Sequence, residues 1–178
     1  MIFTGCLLAD KDGEGAVELR SLDSPKLHVL QLDVTKQDDW SAALQYVKDS
    51  LGSESEALWG IVNNAGWATF GEVEWVTMDT FRKAVDVNLH GVLAGVKTFL
   101  PLIRAGRGRV VTITSGLGRM AVPTRSPYVG TKYALEGVLD CLRSVVATYI
   151  AKKGHNTNTH CSVYIYIHYV TVINVIVS

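Results

Sequence analysis

The chain has 178 residues, 48% apolar and 19% charged, with 17 basic side chains against 17 acidic ones. Such a length and composition describe one globular domain able to bury a core, and exclude a disordered chain. The zero net charge, spread without a basic stripe, excludes nucleic acid as an expected partner. Cys6, Cys141 and Cys161 are far apart, with no CxxC pair and no even disulfide set. They read as reduced intracellular thiols, and no metal-ligand set is expected.

Taken in order, apolar runs alternate with helical periods over the first 150 or so residues. Ile2–Leu8 is a short buried strand, followed by a weak helix near Gly15–Leu22 and a second strand at Leu27–Val34. Thr35 is expected to cap the next helix, with Asp38 completing a capping box. That helix carries Trp40, Ala43, Leu44, Val47 and Leu51 on one face. Leu58–Asn63 is a third strand and ends in the small-residue turn Asn63-Asn64-Ala65-Gly66. One long helix is predicted from Met78 to Leu100, then a fourth strand at Arg109–Thr114. A last helix begins near Pro127, its apolar stripe running from Leu135 to Tyr149. Strands alternating with helices imply parallel βαβ units and an α/β class.

Chemistry concentrates at Ser115, Tyr128 and Lys132. Tyr128 and Lys132 are four apart on a predicted helix and so share a face. Ser126 as N-cap and Pro127 at the first helical position would put Tyr128 in the first turn, where the helix dipole is positive. A free phenol, with a pKa of about 10, is a poor base near neutral pH. A nearby ammonium and a positive helix end both favour phenolate, and make such a tyrosine fit for acid–base work. Ser115 ends a strand at the carboxyl edge, where open α/β sheets bind ligands. An isolated Tyr-x-x-x-Lys reads better as an ordinary half-exposed helix face; the strand-end serine thirteen residues upstream turns the balance to the chemical reading. Asn88 lies on the apolar stripe of the Met78–Leu100 helix and needs buried partners. Two roles are open to it: an amide satisfied by neighbouring backbone, or a polar link holding a water against Lys132.

Together NNAG (63–66), VNLHG (87–91), VVTITSGLGR (110–119) and SPYVGTK (126–132) resemble the short-chain dehydrogenase/reductase family, over residues 1 to about 143. The resemblance implies a Rossmann-like doubly wound parallel sheet. It implies an NAD(P)-dependent oxidoreductase interconverting a secondary alcohol and a ketone, with NAD as cofactor and NADP as the alternative. Asn88, Ser115, Tyr128 and Lys132 are the implied catalytic set, Tyr128 being the general acid/base. Asp33, Asn64, Ala65, Gly66, Tyr128 and Lys132 are the implied cofactor-binding set. FTGCLLADKDGEG, ATFGEVEW, FLPLIR and LGRMAVPTRSPY place the likeness in the branch acting on 3-hydroxybutyrate and acetoacetate. The retinol and 17β-hydroxysteroid branch is the alternative. Arg119 or Arg125 is the candidate for a substrate carboxylate, against a plain reading of both as loop arginines. The expected partners are a small hydroxy or keto substrate, a membrane surface and further copies of the chain. The expected location is mitochondrial.

The sequence also departs from the family. No TGxxxGxG is present: Ala9 and Lys11 stand where glycines are required after Thr4-Gly5. That glycine-rich loop supplies backbone N–H groups to a cofactor pyrophosphate. The resemblance therefore starts at the family's second strand, with the first strand of a 3-2-1-4-5 sheet and the C-terminal strands missing. The expected division is a partial Rossmann-like domain at 1–150 and a low-complexity tail at 151–178, read as a chain truncated at both ends. Such a truncated chain could also be catalytically inert. The tail run Ser162–Val177 has no Pro, Gly, Lys, Arg, Asp or Glu. It is aggregation-prone unless a sheet edge accepts it, so an added strand or a loose extension is expected.

Overall fold

A computed structural model of the chain describes residues 1–52, 57–152 and 173–176, without the side chains of 144–152 and 173–176. Val145, Val146, Tyr149 and most of the tail run therefore lie outside the described side chains. The strands are β1 (Ile2–Cys6), β2 (Leu27–Gln31), β3 (Gly60–Asn63), β4 (Arg109–Thr112) and β5 (Ile173–Ile176). The helices are α1 (Glu14–Ser21), α2 (Gln37–Leu51), α3 (Met78–Val85), α4 (Gly91–Ala105) and α5 (Ser126–Lys152). Short 3-10 turns occupy Ala9–Lys11 and Gly116–Gly118.

The sheet order is β2-β1-β5-β3-β4. β1 pairs parallel with β2, Ile2 opposite Leu27, and β3 pairs parallel with β4, Gly60 opposite Arg109. As the missing first strand implied, β1 and β3 are not neighbours. β5 lies between them and runs antiparallel to both, Ile176 facing Ile2 and Gly60. The described sheet is thus mixed rather than wholly parallel. The reason is local: two open strand edges with unpaired backbone groups accept the β-prone tail in whichever direction it arrives.

The core sits where α2 and α4 cover one sheet face. Trp40 of α2 meets Phe99 of α4 edge-on, ring centroids 6.3 Å apart, and its Nε1 donates to the Val34 carbonyl at 3.0 Å. Val47, Leu58, Ile61 and Leu135 are wholly buried around this pair. Gly91 admits the close approach of α4, since a Cβ there would come within 2.8 Å of Val34.

Two local expectations are corrected. The capping box does not form: α2 starts at Gln37, and Lys36 precedes it without a side-chain cap. Thr35 instead gives its hydroxyl and its backbone N–H to the Asp33 carboxylate at 2.7 and 3.0 Å. The Asx turn made by Asp33 wins the local competition. The long helix is also interrupted. Between α3 and α4 the segment Asp86–His90 opens into a π-turn, with Asn88 buried inside it. Apolar periodicity carries no signal for one inserted residue in a helix.

Candidate active site

Two strand ends and one helix build the site. β3 runs into the Asn63–Gly66 turn, and β4 runs through Ile113 and Thr114 to Ser115. α5 crosses behind them with Tyr128 and Lys132. Pro127 is buried at its start and Tyr128 is half-buried in the first turn. The helix begins at Ser126, so Arg125 rather than Ser126 stands at the cap, its carbonyl accepting from the Val129 N–H at 2.8 Å. The Ser126 hydroxyl is buried without a partner among the described residues.

Lys132 is the unusual group. It is 4% exposed, and its Nζ donates to the Ile113 carbonyl at 3.0 Å. The same nitrogen lies 5.5 Å from the centre of the Tyr128 ring. Burial pulls its pKa from 10.5 down to about 8, with the Glu136 carboxylate pushing the other way. The lysine therefore joins the strand end that leads to Ser115 and the tyrosine on its own helix. Ser115 is buried at the β4 exit, and its Oγ accepts from the Leu117 N–H at 3.2 Å. That contact orients the hydroxyl while leaving its proton free to donate.

Asn88 is fully buried. Its Oδ1 accepts from the Trp67 N–H at 2.7 Å; its Nδ2 donates to the Trp67 carbonyl at 2.9 Å and to Thr131 Oγ1 at 3.0 Å. Thr131 in turn donates to the Tyr128 carbonyl at 2.8 Å. Both amide hydrogens are donated within the protein, one to backbone and one to a side chain. It braces the segment after the Asn63–Gly66 turn against the Tyr128 helix.

The remaining expected residues fall into two groups. Asn64, Ala65 and Gly66 form the turn beyond β3, Gly66 exposed and near Asn88. Asp33 lies past β2. Burial raises its carboxyl pKa, but the hydrogen bonds from Thr35 and the Lys36 charge outweigh that and hold it below its usual value. The two candidate arginines have different surroundings. Arg119 binds Glu136 at 2.8 Å, and the Arg125 guanidinium lies 3.3 Å from the Phe70 ring centre.

A nicotinamide dinucleotide fits this arrangement at one end. The Lys132 ammonium has three hydrogens and one protein acceptor among the described residues, which leaves donors for ribose hydroxyls. Among the described residues Thr114 Oγ1 and Asn63 Oδ1 are buried without partners near the same strand ends. The pyrophosphate end does not fit, since residues 4–11 lack the glycines that bring backbone N–H groups to phosphate.

The pattern of the short chain dehydrogenase family matches residues 6–153. The chain belongs to that family. It is 48% identical over 143 residues to the mitochondrial D-beta-hydroxybutyrate dehydrogenase of Rattus norvegicus, covering 80% of this chain and 42% of that protein. Retinol dehydrogenase 7 of Mus musculus is 40% identical over 139 residues, 78% of this chain and 43% of that protein. The bovine 17-beta-hydroxysteroid dehydrogenase type 6 is 39% identical over 143 residues, 80% of this chain and 43% of that protein. Among solved structures, an alcohol dehydrogenase of Thermococcus sibiricus complexed with 5-hydroxy-NADP is similar, with a TM-score of 0.67 and 25% identity. The similarity covers 78% of this chain and 57% of that one. The chain thus spans less than half the length of these sequence relatives.

Sequence reasoning missed Thr131, Ile113 and Glu136. The first two act through a hydroxyl and a backbone carbonyl, which no motif marks. Glu136 did carry a signal: it extends the Tyr128–Lys132 spacing by four more residues on the same helix face.

Proposed function

We propose that this chain carries the proton-transfer half of an NAD(P)-dependent oxidoreductase site interconverting a secondary alcohol and a ketone. The observation that carries the reading is the buried Lys132 ammonium, hydrogen-bonded to the strand end before Ser115 and set beside Tyr128. Asn88, Ser115, Tyr128 and Lys132 are the working set. A bound nicotinamide supplies the hydride acceptor or donor. The Ser115 hydroxyl donates a hydrogen bond to the substrate oxygen. Tyr128 takes the alcohol proton or returns it to the ketone, and the Lys132 charge favours its phenolate form. Asn88 keeps the Tyr128 turn in place. Asp33 and Asn64–Gly66 flank the adenine and nicotinamide ends of the cofactor.

The substrate we propose is 3-hydroxybutyrate with acetoacetate, from the relatives' names and the degree of identity; the cofactor we propose is NAD, with NADP, whose 5-hydroxy form the Thermococcus sibiricus enzyme carries, as the alternative. A mitochondrial location, a homo-oligomeric parent at a membrane surface, and the division into 1–150 and 151–178 belong to the same reading. Among the described residues no helix is long and apolar enough to cross a membrane. One observation favours a second substrate class. A hydroxy acid needs a cation, and of the two candidate arginines Arg119 is paired with Glu136 while Arg125 stacks on the Phe70 ring, an arrangement that suits an uncharged retinol or steroid.

Two measurements test this. Dinucleotide titration of residues 1–178 is expected to give a Kd near or above about 1 mM for NADH and NADPH, because the pyrophosphate grip is lacking. Micromolar binding would show that the grip lies elsewhere. At high dinucleotide, a panel of D-3-hydroxybutyrate, all-trans-retinol and a 17β-hydroxysteroid should show the hydroxy acid oxidised fastest. Turnover of the steroid or retinol alone selects the second class; no turnover of any secondary alcohol sinks the enzyme reading.

A further inference from the structure

Tyr128, Lys132 and Glu136 follow one another at four-residue spacing, so they form one stripe along α5. Glu136 is 4% exposed, a rare place for a carboxylate. Its Oε2 accepts from Arg119 Nη2 at 2.8 Å, and the same guanidinium nitrogen lies 3.9 Å from Asp140. Arg119 ends the short loop that begins at Ser115. Gly118 within that loop has no room for a side chain: a Cβ would sit 3.0 Å from Glu136 Cγ and 3.1 Å from the Lys132 carbonyl oxygen. The loop therefore rests directly on the turn of α5 between Lys132 and Glu136, and one ion pair fastens it there.

We propose that Glu136 is a positioning residue of this site: through Arg119 it holds the Ser115 loop on α5, and its buried negative charge faces the Lys132 ammonium from the next turn. Other charges face α5 from the elements packed on it, but they are spent locally. Asp86 and His90 on the π-turn pair with each other, as do Asp79 and Arg82 on α3, and Lys83 lies over the Trp67 ring. Asp140 pairs with Arg143 further along α5. Arg109, on β4, stacks on Trp59. Glu136 is the charged group whose field acts on Lys132, against the burial that pulls its proton off. Removing that charge while keeping the shape makes the ammonium lose its proton at lower pH.

The test reads Lys132 directly. Competitive acylation of the chain from neutral to strongly alkaline pH, with peptide mass spectrometry, gives the titration midpoint of this one lysine without any substrate. In Glu136→Gln the midpoint is expected to fall by about half a pH unit or more. A purely structural brace predicts the opposite sign, because a loosened loop admits water and lets the lysine return toward its free value. A rise or an unchanged midpoint in Glu136→Gln overturns the proposal. Should the Gln variant fail to fold, as seen by circular dichroism, Glu136→Leu removes the charge with an apolar side chain suited to burial, and the same fall is expected. A second arm rests on the oxidoreductase reading: the alkaline limb of kcat/KM should move down with the Lys132 midpoint. A limb that stays put while the midpoint falls overturns the catalytic part of the proposal. An inactive native chain whose Lys132 midpoint shifts as stated contradicts the proposed activity and leaves the Glu136–Lys132 coupling established.

Discussion

Tyr128→Phe is expected to lower kcat for alcohol oxidation by three orders of magnitude or more, while the dinucleotide Kd stays within about twofold. The substitution removes one oxygen from a half-buried ring and leaves the packing of α5 on the 3-10 turn intact. What is lost is the group that exchanges a proton with the substrate oxygen, so the effect belongs to the transition state. Stopped-flow absorbance of the reduced nicotinamide, with fluorescence titration of the dinucleotide, separates the two quantities. Retention of more than about a tenth of the native rate would count against the role given to Tyr128.

The second large effect concerns stability. Lys132 titrates at about 8 in the folded chain against 10.5 when free. A lysine whose pKa is lowered by folding is penalised wherever it is charged in both states, that is, below about 8. Between about 8 and 10.5 the unfolded chain holds the proton that the folded one has released, so stability rises with pH across that window. The full rise is roughly 3 kcal/mol from this group alone. Lys132→Met removes the penalty and keeps the length of the side chain. It should be more stable than the native chain at neutral pH by about 1–3 kcal/mol, after the lost hydrogen bond to Ile113 is counted. Above about pH 10.5 the gain should be gone and the variant no more stable than the native chain, since the bond to Ile113 is still lost, and the variant should be inactive. Urea unfolding at neutral and alkaline pH checks it. A variant less stable at neutral pH would show that the buried ammonium is not under strain.

Much of this was legible in the residues themselves. The strands, the order of the helices and the placing of Tyr128 and Lys132 on one helix face follow from periodicity and spacing. The gap between β1 and β3 follows from the family resemblance instead: Ala9 and Lys11 stand where that family has phosphate-loop glycines, which implies that the family's central first strand is missing. Other features depend on geometry that no one-dimensional pattern carries. The place of β5 is set by two free strand edges that accept either direction, and the π-turn around Asn88 by one extra residue. The partners of Arg119 and Arg125 were unreadable for the same reason. A loop arginine has the same sequence appearance whether it meets a substrate, a buried Glu136 or the Phe70 ring. Thr35 shows a nearer failure: its spacing to Asp38 suits a capping box, but Asp33, two residues away, captures its hydroxyl first.

The most direct test of the site as a proton- and hydride-transfer centre is isotopic. D-3-hydroxybutyrate deuterated at C3 is incubated with the chain and oxidised NAD at about 10 mM, a concentration chosen to offset weak binding. The reduced dinucleotide is then examined by mass spectrometry. Deuterium at the nicotinamide, absent when Tyr128→Phe replaces the native chain, is the predicted result. Label transfer that survives the loss of the Tyr128 hydroxyl would contradict the account.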